Sequence, residues 1–336
     1  MLKTTVVIPN YNGIKYLFDC LSFLKRSRTY EKGQEKNEML LPGHKFHTIV
    51  VDNGSTDGSL ELLQQEFPWV EVIALKENTG FCGAVNVGIK ATATPYVLLL
   101  NNDTKVDTYM VSKLEQAMDA KKQYFSIAAK MLSMQEPEII DDAGDLYCAL
   151  GWAFALGKGA DSSRYEKDAD IFAACGGAAI YRSAVFQEIG LFDENHFAYL
   201  EDIDIGYRAR IYGYRNGYCH EALVYHAGSG FSGSRYNQFK ITLSSRNSIY
   251  LIYKNMPFLQ VILNLPFLLL GFFIKTLFFI KKGFGGTYVL GLMKGIGMCF
   301  EKKTRKCHVP FSMARIGNYG QIQLQLWGNM FRRIVG

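Results

Sequence analysis

The sequence lacks the features of a secreted or disulfide-linked protein. Its seven cysteines are odd in number and scattered, and no two of them form a C-x-x-C pair, so we expect reduced thiols and a cytosolic compartment. The first residues, M-L-K-T-T-V-V-I-P-N, contain an apolar run that is too short for a signal peptide and is typical of a strand. We therefore expect the folded domain to stay inside the cell.

Acidic residues are nearly absent from the last part of the chain. Twelve Lys or Arg residues and one acid, Glu301, follow residue 250, so this segment carries a formal charge of +11 and the residues before it carry −5 of the net +6. Because the segment is also rich in Phe, Leu and Ile, an anionic membrane surface explains its charge better than a nucleic acid does. No nucleic-acid-binding module is evident, and we expect no nucleic-acid partner.

The first hundred residues alternate between strand and helix patterns. With 336 residues, 49% of them hydrophobic, the chain is long enough for a full α/β domain plus an appendage. Apolar runs at 4–8, 46–51, 70–75 and 96–100 are typical of strands, and helical patterns separate them. This alternation predicts a doubly wound, Rossmann-like nucleotide-binding half.

The first turn argues against two classes of nucleotide-binding protein. Its sequence is P-N-Y-N-G, whereas a dinucleotide-binding dehydrogenase would show G-x-G-x-x-G at this place. The turn also has no basic residue of the kind expected in the Gly-rich loop of a nucleotidyltransferase. Both classes are therefore disfavoured.

Three polar residues, Asn101, Asn102 and Asp103, follow the apolar run Y-V-L-L-L. Ligands of open α/β sheets bind beyond the carboxyl ends of the strands, so these residues are expected at the mouth of a site. A carboxylate beside amide oxygens suits a hard divalent cation that is itself bound to a phosphorylated ligand. The alternative is an Asx turn that ends a core strand.

Two earlier segments are candidates for contact with a nucleotide. Asp52 ends the second predicted strand, where its carboxylate could accept hydrogen bonds from a base or ribose or could cap the next helix. Gly80 and Gly83 open a later helix. They would let backbone N–H groups approach a diphosphate, although many tight turns use glycine without binding a ligand.

A second group of charged residues begins a later predicted helix. Glu201, Asp202 and Asp204 suit the positive end of a helix dipole. The aromatic residues around them would also place these carboxylates in a semi-dry cleft, where a base is useful. Arg208 is either a diphosphate partner or an intrahelical partner of the acids.

Gly177 and His226 are two further candidates. Gly177 either gives the backbone room near a ligand or allows close packing of a strand. His226 ends a predicted strand and precedes the Gly/Ser-rich loop 227–234, which could close over a ligand. A histidine at this place is either structural or a metal ligand.

Four motifs together carry a resemblance to a known family. P-N-Y-N-G, V-V-D-N-G-S-T-D-G-S, E-N-T-G-F-C-G-A-V-N and L-L-L-N-N-D occur in this order, and they resemble the nucleotide half of a family 2 glycosyltransferase of the GT-A fold. The likeness continues to about residue 235 and is greatest to the bacterial subgroup that includes rhamnosyltransferases of cell-surface polysaccharide assembly. The family's metal motif is usually Asp-x-Asp, whereas only Asp103 keeps a carboxylate here.

The resemblance implies a role for each candidate residue. Asp202 is the expected general base, with Glu201 positioning the acceptor or the helix. Asp103 and His226 are the expected ligands of Mg²⁺ or Mn²⁺. The residues expected to bind the nucleotide sugar are Pro9, Tyr11, Asn12, Asp52, Asn78, Gly83, Asn86, Asn101, Asn102, Gly177 and Arg208.

The resemblance also implies an activity and a domain division. We expect inverting transfer of a sugar, with dTDP-rhamnose as the first choice of donor, to a hydroxyl of a lipid-linked or growing cell-surface saccharide. The alternatives are another hexosyl donor, such as UDP-galactose or UDP-glucose, and a non-catalytic membrane-bound scaffold that binds saccharides. Residues 1–235 would form the catalytic domain, with a nucleotide half at 1–103 and an acceptor half at 104–235.

Residues 236–336 would then form a helical region that associates with the membrane or with a second copy. The apolar segment 256–274 is of borderline length for spanning a bilayer. Pro257, Asn264, Pro266 and the following lysines favour helices that lie in the interface on the cytoplasmic face. A buried helical pair that forms a homodimer interface is the alternative.

Overall fold

The core of the protein is a mixed sheet that carries both halves of the chain. The computed structural model describes residues 2–30, 43–228 and 236–335. Within them, ten strands form one sheet, in the order β10-β12-β6-β11-β4-β1-β2-β3, with β5 beside β12 and β7 beside β6. The strands are β1 Thr4–Asn10, β2 His47–Asp52, β3 Glu71–Ala74, β4 Tyr96–Leu100, β5 Thr104–Val106, β6 Tyr124–Ser133, β7 Ile140–Asp142, β10 Ala169–Ile171, β11 Ala178–Arg182 and β12 Arg215–His226.

The first four strands form the parallel part of the sheet, as predicted. β1 lies between β2 and β4, and β3 pairs with the outer side of β2, all in parallel. Every residue of β4 is buried, as its apolar run predicted. Three helices connect these strands: α1 Ile14–Lys25, α2 Ser59–Glu66 and α3 Gly80–Ala91. Because the strands run the same way, their carboxyl ends meet at one edge of the sheet.

The second half extends the sheet with strands of both directions. β11 is antiparallel to its two neighbours, β4 and β6, and β12 runs parallel to β6. The sequence of residues 106–118 predicts a helix over this segment, but the helix begins later, as α4 Met110–Ala120. Residues Thr104–Val106 form β5 instead, because their backbone pairs with the end of β12. That pairing brings Thr104 opposite His226.

A separate hairpin and two helices complete this half. The strands β8 Asp145–Cys148 and β9 Trp152–Ala155 pair with each other in an antiparallel hairpin. The helices are the short α5 Phe186–Ile189 and α6 Glu201–Ile211. The first residue of α6, Glu201, starts the predicted acidic helix at the predicted place.

The last hundred residues are helical and pack on the α/β core. The helices are α7 Gln238–Asn255, α8 Phe258–Lys281, α9 Gly285–Met298, α10 Lys302–Arg305 and α11 Ile316–Val335. The side chain of Asn237 caps α7 by accepting a hydrogen bond from the backbone N–H of Lys240. Tyr207 of α6 donates its hydroxyl to Gln260 of α8, and Leu326 of α11 accepts from the backbone N–H of Ala149.

One face of α8 is buried and the other is strongly apolar and exposed. Trp152 of the hairpin donates its indole N–H to the carbonyl of Gly271, and a Cβ at Gly271 would overlap the carbonyl oxygen of Leu150. On the outer face, Phe258 is 80% exposed and Leu269 is 61% exposed. By length and composition, α8 is the one helix in the described part of the chain that could cross a bilayer.

All seven cysteines are free, as predicted. Most of the Gly/Ser-rich loop predicted after His226, residues 229–235, lies outside the described part of the chain.

Candidate active site

The ends of β1, β2 and β4 meet in a buried hydrogen-bond network. Asn10 donates its amide to Oδ1 of Asp52 at 2.9 Å and accepts a hydrogen bond from the amide of Asn102 at 2.6 Å. Gly13 lies against this network, and a Cβ there would overlap the side chain of Asn102. Asp52 and Asn102, the predicted groups at the ends of β2 and β4, therefore belong to one unit. Asn10 joins the two, and it is not among the site residues predicted from the sequence.

The predicted nucleoside-binding residues form two connected turns above this network. Asp52 accepts a hydrogen bond from the backbone N–H of Ser55 at 3.0 Å. Asn12, which has a positive φ of 47°, accepts from the backbone N–H of Thr56 at 2.8 Å and so ties the turn after β1 to the turn after β2. Pro9 and Tyr11 precede Asn12 in the sequence. Their contact with a nucleoside stays a prediction.

Asn53 organises the start of α3. Its side chain accepts from the backbone N–H of Thr79 at 2.9 Å and donates to Asn78 and to the carbonyl of Gly80. Gly80 has a φ of 75°, a conformation that glycine adopts without strain. The N-terminus of α3, with Gly83 in its first turn, is thus held beside the edge of the sheet at which the parallel strands end.

The two predicted metal ligands lie next to each other. Nε2 of His226 is 3.3 Å from Oδ1 of Asp103, and the backbone N–H of Ala227 donates to the carbonyl of Asp103. On its other side, Nδ1 of His226 is 2.7 Å from Oδ2 of Asp141. Burial alone would lower the pKa of His226, but Asp103 and Asp141 outweigh it and raise the pKa to about 9.

The donor atoms at this place fit a divalent cation. A carboxylate oxygen and an imidazole nitrogen are ligands that Mn²⁺ accepts, and Mg²⁺ needs few protein ligands when a diphosphate supplies oxygens. The carboxylate of Asp141 holds the far nitrogen of His226, which is the usual way for a protein to orient a ligating imidazole. Asp103 and His226 would therefore hold the cation that the resemblance implies.

The predicted base, Asp202, is half-buried, and its Oδ1 is shielded from water. Burial, and then the charge of Glu201, raises the pKa of Asp202 well above its usual range. The backbone of Gly176 and the thiol of Cys175 both contact its carboxylate. Its Oδ1 lacks a hydrogen-bond partner among the residues that the structure describes. This oxygen is therefore available to accept a proton.

Further carboxyl groups surround the base. Ligand atoms of Asp142, Asp145 and Cys175 lie within 4.8 Å of one another. Burial raises the pKa of Asp142 to about 6 and, together with the charge of Asp142, raises that of Asp145 well above its usual range. Burial also raises the pKa of Glu201 to about 7. We call Asp142, Asp145, Cys175, Glu201 and Asp202 the carboxyl cluster.

Neighbouring residues connect the predicted metal ligands, Asp103 and His226, with the predicted base, Asp202. Asp141, which contacts His226, precedes Asp142 of the carboxyl cluster in the chain. A Cβ at Gly177 would lie 3.2 Å from the side-chain amide of Asn101, and a Cβ at Gly176 would lie 2.9 Å from Oδ1 of Asp202. Because these two glycines have no side chains, only their backbone lies between the residue after β4, Asn101, and Asp202.

Two residues that were predicted to bind the donor are held by other contacts. Asn86 exchanges hydrogen bonds with the backbone of Phe192. Arg208 pairs with Asp204 at 2.8 Å and donates to carbonyls of residues 189–191. Both side chains line a groove of about 520 Å³, and none of the predicted metal or catalytic residues lines that groove. We leave both out of the donor site that we propose.

A sequence model described as glycosyl transferase family 2 matches residues 5–190 of the chain. The chain belongs to glycosyltransferase family 2. Its resemblance at the four motifs is thereby confirmed as membership.

Individual relatives within the family are distant. The teichoic acid poly(glycerol phosphate) polymerase of Staphylococcus epidermidis is 28% identical over 116 residues, which cover 33% of this chain and 14% of that protein. The N-acetylglucosaminyl-diphospho-decaprenol L-rhamnosyltransferase of Mycobacterium tuberculosis is 24% identical over 203 residues, which cover 53% of this chain and 65% of that protein. The chain thus spans less than two thirds of the length of either relative.

Solved structures confirm the GT-A fold. The crystal structure of residues 1–349 of Staphylococcus aureus TarS in complex with UDP-GlcNAc has a TM-score of 0.58 at 18% identity and covers 96% of this chain and 90% of that one. The crystal structure of GalNAc-T7 with UDP, GalNAc and Mn²⁺ has a TM-score of 0.57 at 14% identity and covers 76% of this chain and 48% of that one. At these identities the likeness concerns the fold alone.

Asp141, Asp145 and Cys175 are not among the site residues predicted from the sequence. Asp141 and Asp145 belong to a segment whose mixture of acids, aromatics and glycines gave no clear pattern. The one available signal was a pair of adjacent acids, Asp141 and Asp142, before a glycine. Such a pair is common in surface turns, so it predicts no partner.

Proposed function

We propose that this family 2 glycosyltransferase moves a sugar from a nucleoside diphosphate sugar to a hydroxyl of a lipid-linked or growing saccharide, with inversion at the anomeric carbon. The observation that carries the proposal is the common region of Asp103, His226 and Asp202. Inverting transfer needs a base on one side of the sugar and a stabilised leaving group on the other. In support of this, Asp202 lies beside Gly176, and Asn101, two residues before Asp103, lies beside Gly177.

Asp202 is the proposed general base. Its buried carboxylate binds a proton more tightly than an exposed one, because its charged form is poorly solvated. A base whose pKa lies closer to the working pH removes a proton from an attacking hydroxyl more effectively. Glu201 precedes it on α6 and would position the acceptor or the helix.

Asp103 and His226 would hold Mg²⁺ or Mn²⁺, which neutralises the departing diphosphate when bound. Asp52, Asn12 and the start of α3 would hold the nucleotide, with backbone N–H groups of α3 directed to the diphosphate. Asn101, Asn102 and Gly177 would lie between this nucleotide and the base, since Asn102 bonds to Asn10 and Gly177 lies beside Asn101.

The C-terminal helices, within residues 236–336, would attach the enzyme to the cytoplasmic face of the membrane. α8 and α9 pack together through stacked rings of Phe279 and Tyr288, and both helices have exposed apolar residues on their outer faces. Lys281 and Lys282 at the end of α8 are exposed and suit anionic headgroups. The same holds for the basic cluster after α9, which consists of Lys302, Lys303, Arg305 and Lys306. A lipid-linked acceptor would be available at this surface.

The experiment that tests the activity is a donor panel. The protein is incubated with Mn²⁺ and, separately, dTDP-rhamnose, UDP-glucose, UDP-galactose or UDP-N-acetylglucosamine, and release of the nucleoside diphosphate is measured. We expect slow hydrolysis of one donor that stops when EDTA is added. dTDP-rhamnose is the first choice because of the subgroup resemblance and the mycobacterial relative. No hydrolysis and no binding of any donor would favour the non-catalytic scaffold.

A further inference from the structure

Residues 196–200 lead into α6, the helix that carries the proposed base Asp202, and their backbone conformation is unusual. Phe197, Tyr199 and Leu200 all have positive φ values, of 65°, 70° and 68°. Side chains with a Cβ rarely adopt this conformation, and it persists only where surrounding contacts enforce it. The carbonyl of Leu200 accepts the first hydrogen bond of α6, from the backbone N–H of Asp204. The direction of α6, and hence the place of Asp202, depends on this segment.

The same segment also contacts the donor side of the site. The carbonyl of Phe197 accepts a hydrogen bond from the backbone N–H of Cys82 in the first turn of α3. A Cβ at Gly80 would lie 2.6 Å from that carbonyl oxygen. Residues 196–200 therefore lie between the start of α3 and the start of α6.

One side chain, that of Asn247 on α7, holds this backbone. Its amide nitrogen lies 3.0 Å from the carbonyl oxygen of His196, 2.9 Å from that of Ala198 and 2.7 Å from that of Tyr199. Asn247 is fully buried. An Asn amide has two N–H groups, and here they serve three carbonyls that the strained conformation turns to the same side.

Arg246 sets the orientation of that amide. Its Nε donates to Oδ1 of Asn247 at 2.9 Å, which leaves the amide nitrogen facing the segment. Its guanidinium also donates to the carbonyls of Asn195 and His196. Both side chains thus hold the backbone just before the base helix.

Contacts with two other parts of the structure hold α7 in place. Further along the helix, Lys254 pairs with Asp193 and Asp204 at 2.8 Å each, and Asn255 donates to Asp204. On the opposite side, Gly291 and Gly295 of α9 have no room for a Cβ against residues 242–249 of α7. Because α7 is packed so closely, it moves little, and Asn247 can hold residues 196–200 in one position.

We propose that Asn247 is the positioning residue for the general base: it holds residues 196–200 in their strained conformation and thereby places Asp202 against the acceptor hydroxyl. This inference rests on the proposed function, because it assigns Asn247 a role in that reaction. Asn247 itself touches backbone and has no part in proton transfer.

The test is a double-mutant cycle in the full chain with whichever of the four panel donors is hydrolysed. We expect Asn247→Ala to lower kcat by about 10- to 100-fold, the scale of a misplaced catalytic group, and to leave the Kd of the nucleoside diphosphate with Mn²⁺ within about twofold. Because Asn247 acts through Asp202, the double variant with Asp202→Asn should be no slower than Asp202→Asn alone. Effects that multiply in the double variant would overturn the proposal.

Asn318→Ala is the matched control. Asn318 donates its amide to the carbonyl of Ile211 at the other end of α6, so its loss removes a similar bond without touching the segment. We expect kcat to stay within about twofold of the wild type. Equal losses in Asn247→Ala and Asn318→Ala would reduce Asn247 to an ordinary stabilising contact.

Hydrogen exchange supplies a measurement that does not depend on turnover. The amide of Asp204 should exchange at least about tenfold faster in Asn247→Ala than in Asn318→Ala, because its acceptor, Leu200, loses its support. Unchanged exchange would overturn the proposal, even if no donor is hydrolysed and the proposed function fails. If alanine prevents folding, Asn247→Gln takes its place, since it keeps the amide but displaces it by one methylene group.

Discussion

His226 is held by Asp141, a residue 85 positions earlier in the chain, with 2.7 Å between Nδ1 and the carboxylate. The same imidazole directs its other nitrogen to Asp103 at 3.3 Å. Asp141 keeps its negative charge: burial would raise its pKa, but His226 and Lys158 lower it to about 2. Asp141 therefore keeps its charge and fixes the orientation of the His226 ring at any pH near neutrality.

Asp141→Asn should weaken the response to the metal. Without the carboxylate the imidazole loses its orientation and part of its basicity, and such changes typically cost 10- to 100-fold in metal affinity. We expect the Mn²⁺ concentration that gives half-maximal donor hydrolysis to rise by that factor, with a smaller change in the rate at saturating Mn²⁺. Asp161→Asn, at an exposed acid that contacts Ser163, is the control. If the Mn²⁺ titration is unchanged in Asp141→Asn, His226 is not a ligand of the metal.

Asp202→Asn should abolish transfer and spare donor binding. The amide has the shape of the carboxylate but cannot take a proton, and loss of a general base costs about 100-fold or more. Calorimetric titration with the nucleoside diphosphate and Mn²⁺ should give a Kd within about twofold of the wild type. Undiminished turnover in this variant would remove Asp202 from the mechanism.

Asp145→Asn should stabilise the protein at neutral pH. Burial and the charge of Asp142 raise the pKa of Asp145 in the folded state. Above that raised pKa both states are ionised, so the folded protein bears the cost of the buried charge. As the pH falls towards the ordinary value near 4, the folded state takes up the proton first and the cost disappears.

The gain in Asp145→Asn is therefore expected at pH 7.5, on the order of 1 kcal/mol or a few degrees in Tm, and should vanish near pH 4. Thermal unfolding at both pH values, with EDTA present, measures it. Loss of stability by the same amount at both pH values would show that Asp145 makes a favourable contact instead.

The basic cluster after α9 should carry the attraction to anionic lipid. Each basic residue near such a surface contributes about 1 kcal/mol, so reversing Lys302, Lys303, Arg305 and Lys306 to Glu should reduce binding to vesicles with phosphatidylglycerol by 100-fold or more. Flotation measures the bound fraction. The same reversal at four exposed residues elsewhere is the control: Lys25, Arg26, Lys76 and Lys122.

A membrane-bound enzyme and a dimer differ in this experiment. If the outer faces of α8 and α9 pair with a second copy, the protein should sediment as a dimer without lipid and should fail to float. That result would contradict the membrane assignment of residues 236–336.

The strand ends were predictable because a buried parallel strand has a simple signature. The run that ends at Leu100 fixes where Asn101 to Asp103 lie, and an uninterrupted apolar run can be recognised without knowledge of its partner strands. The helix expected at 106 failed because the backbone of 104–106 pairs with β12, more than a hundred residues later. Local spacing contains no information on such a partner.

The supporting residues were unpredictable for the same reason. Asn247 is one polar residue on a helix, and only the fold places three carbonyls beside its amide. Asp141 precedes a short hairpin whose sequence has no clear period. The groups expected to react follow motifs, whereas the groups that orient them are set by tertiary contact.

The length of the hairpin β8–β9 sets the distance between the carboxyl cluster and α8. Its first residue, Asp145, belongs to the carboxyl cluster, and Trp152 beside its turn is bonded to α8. Its four-residue first strand spans roughly 13 Å at about 3.3 Å per residue. If α8 lies in the headgroup layer, an acceptor tethered there must reach that far, so lengthening both strands by two residues should shift the preferred acceptor towards longer head groups in a comparison of lipid-linked mono-, di- and trisaccharides.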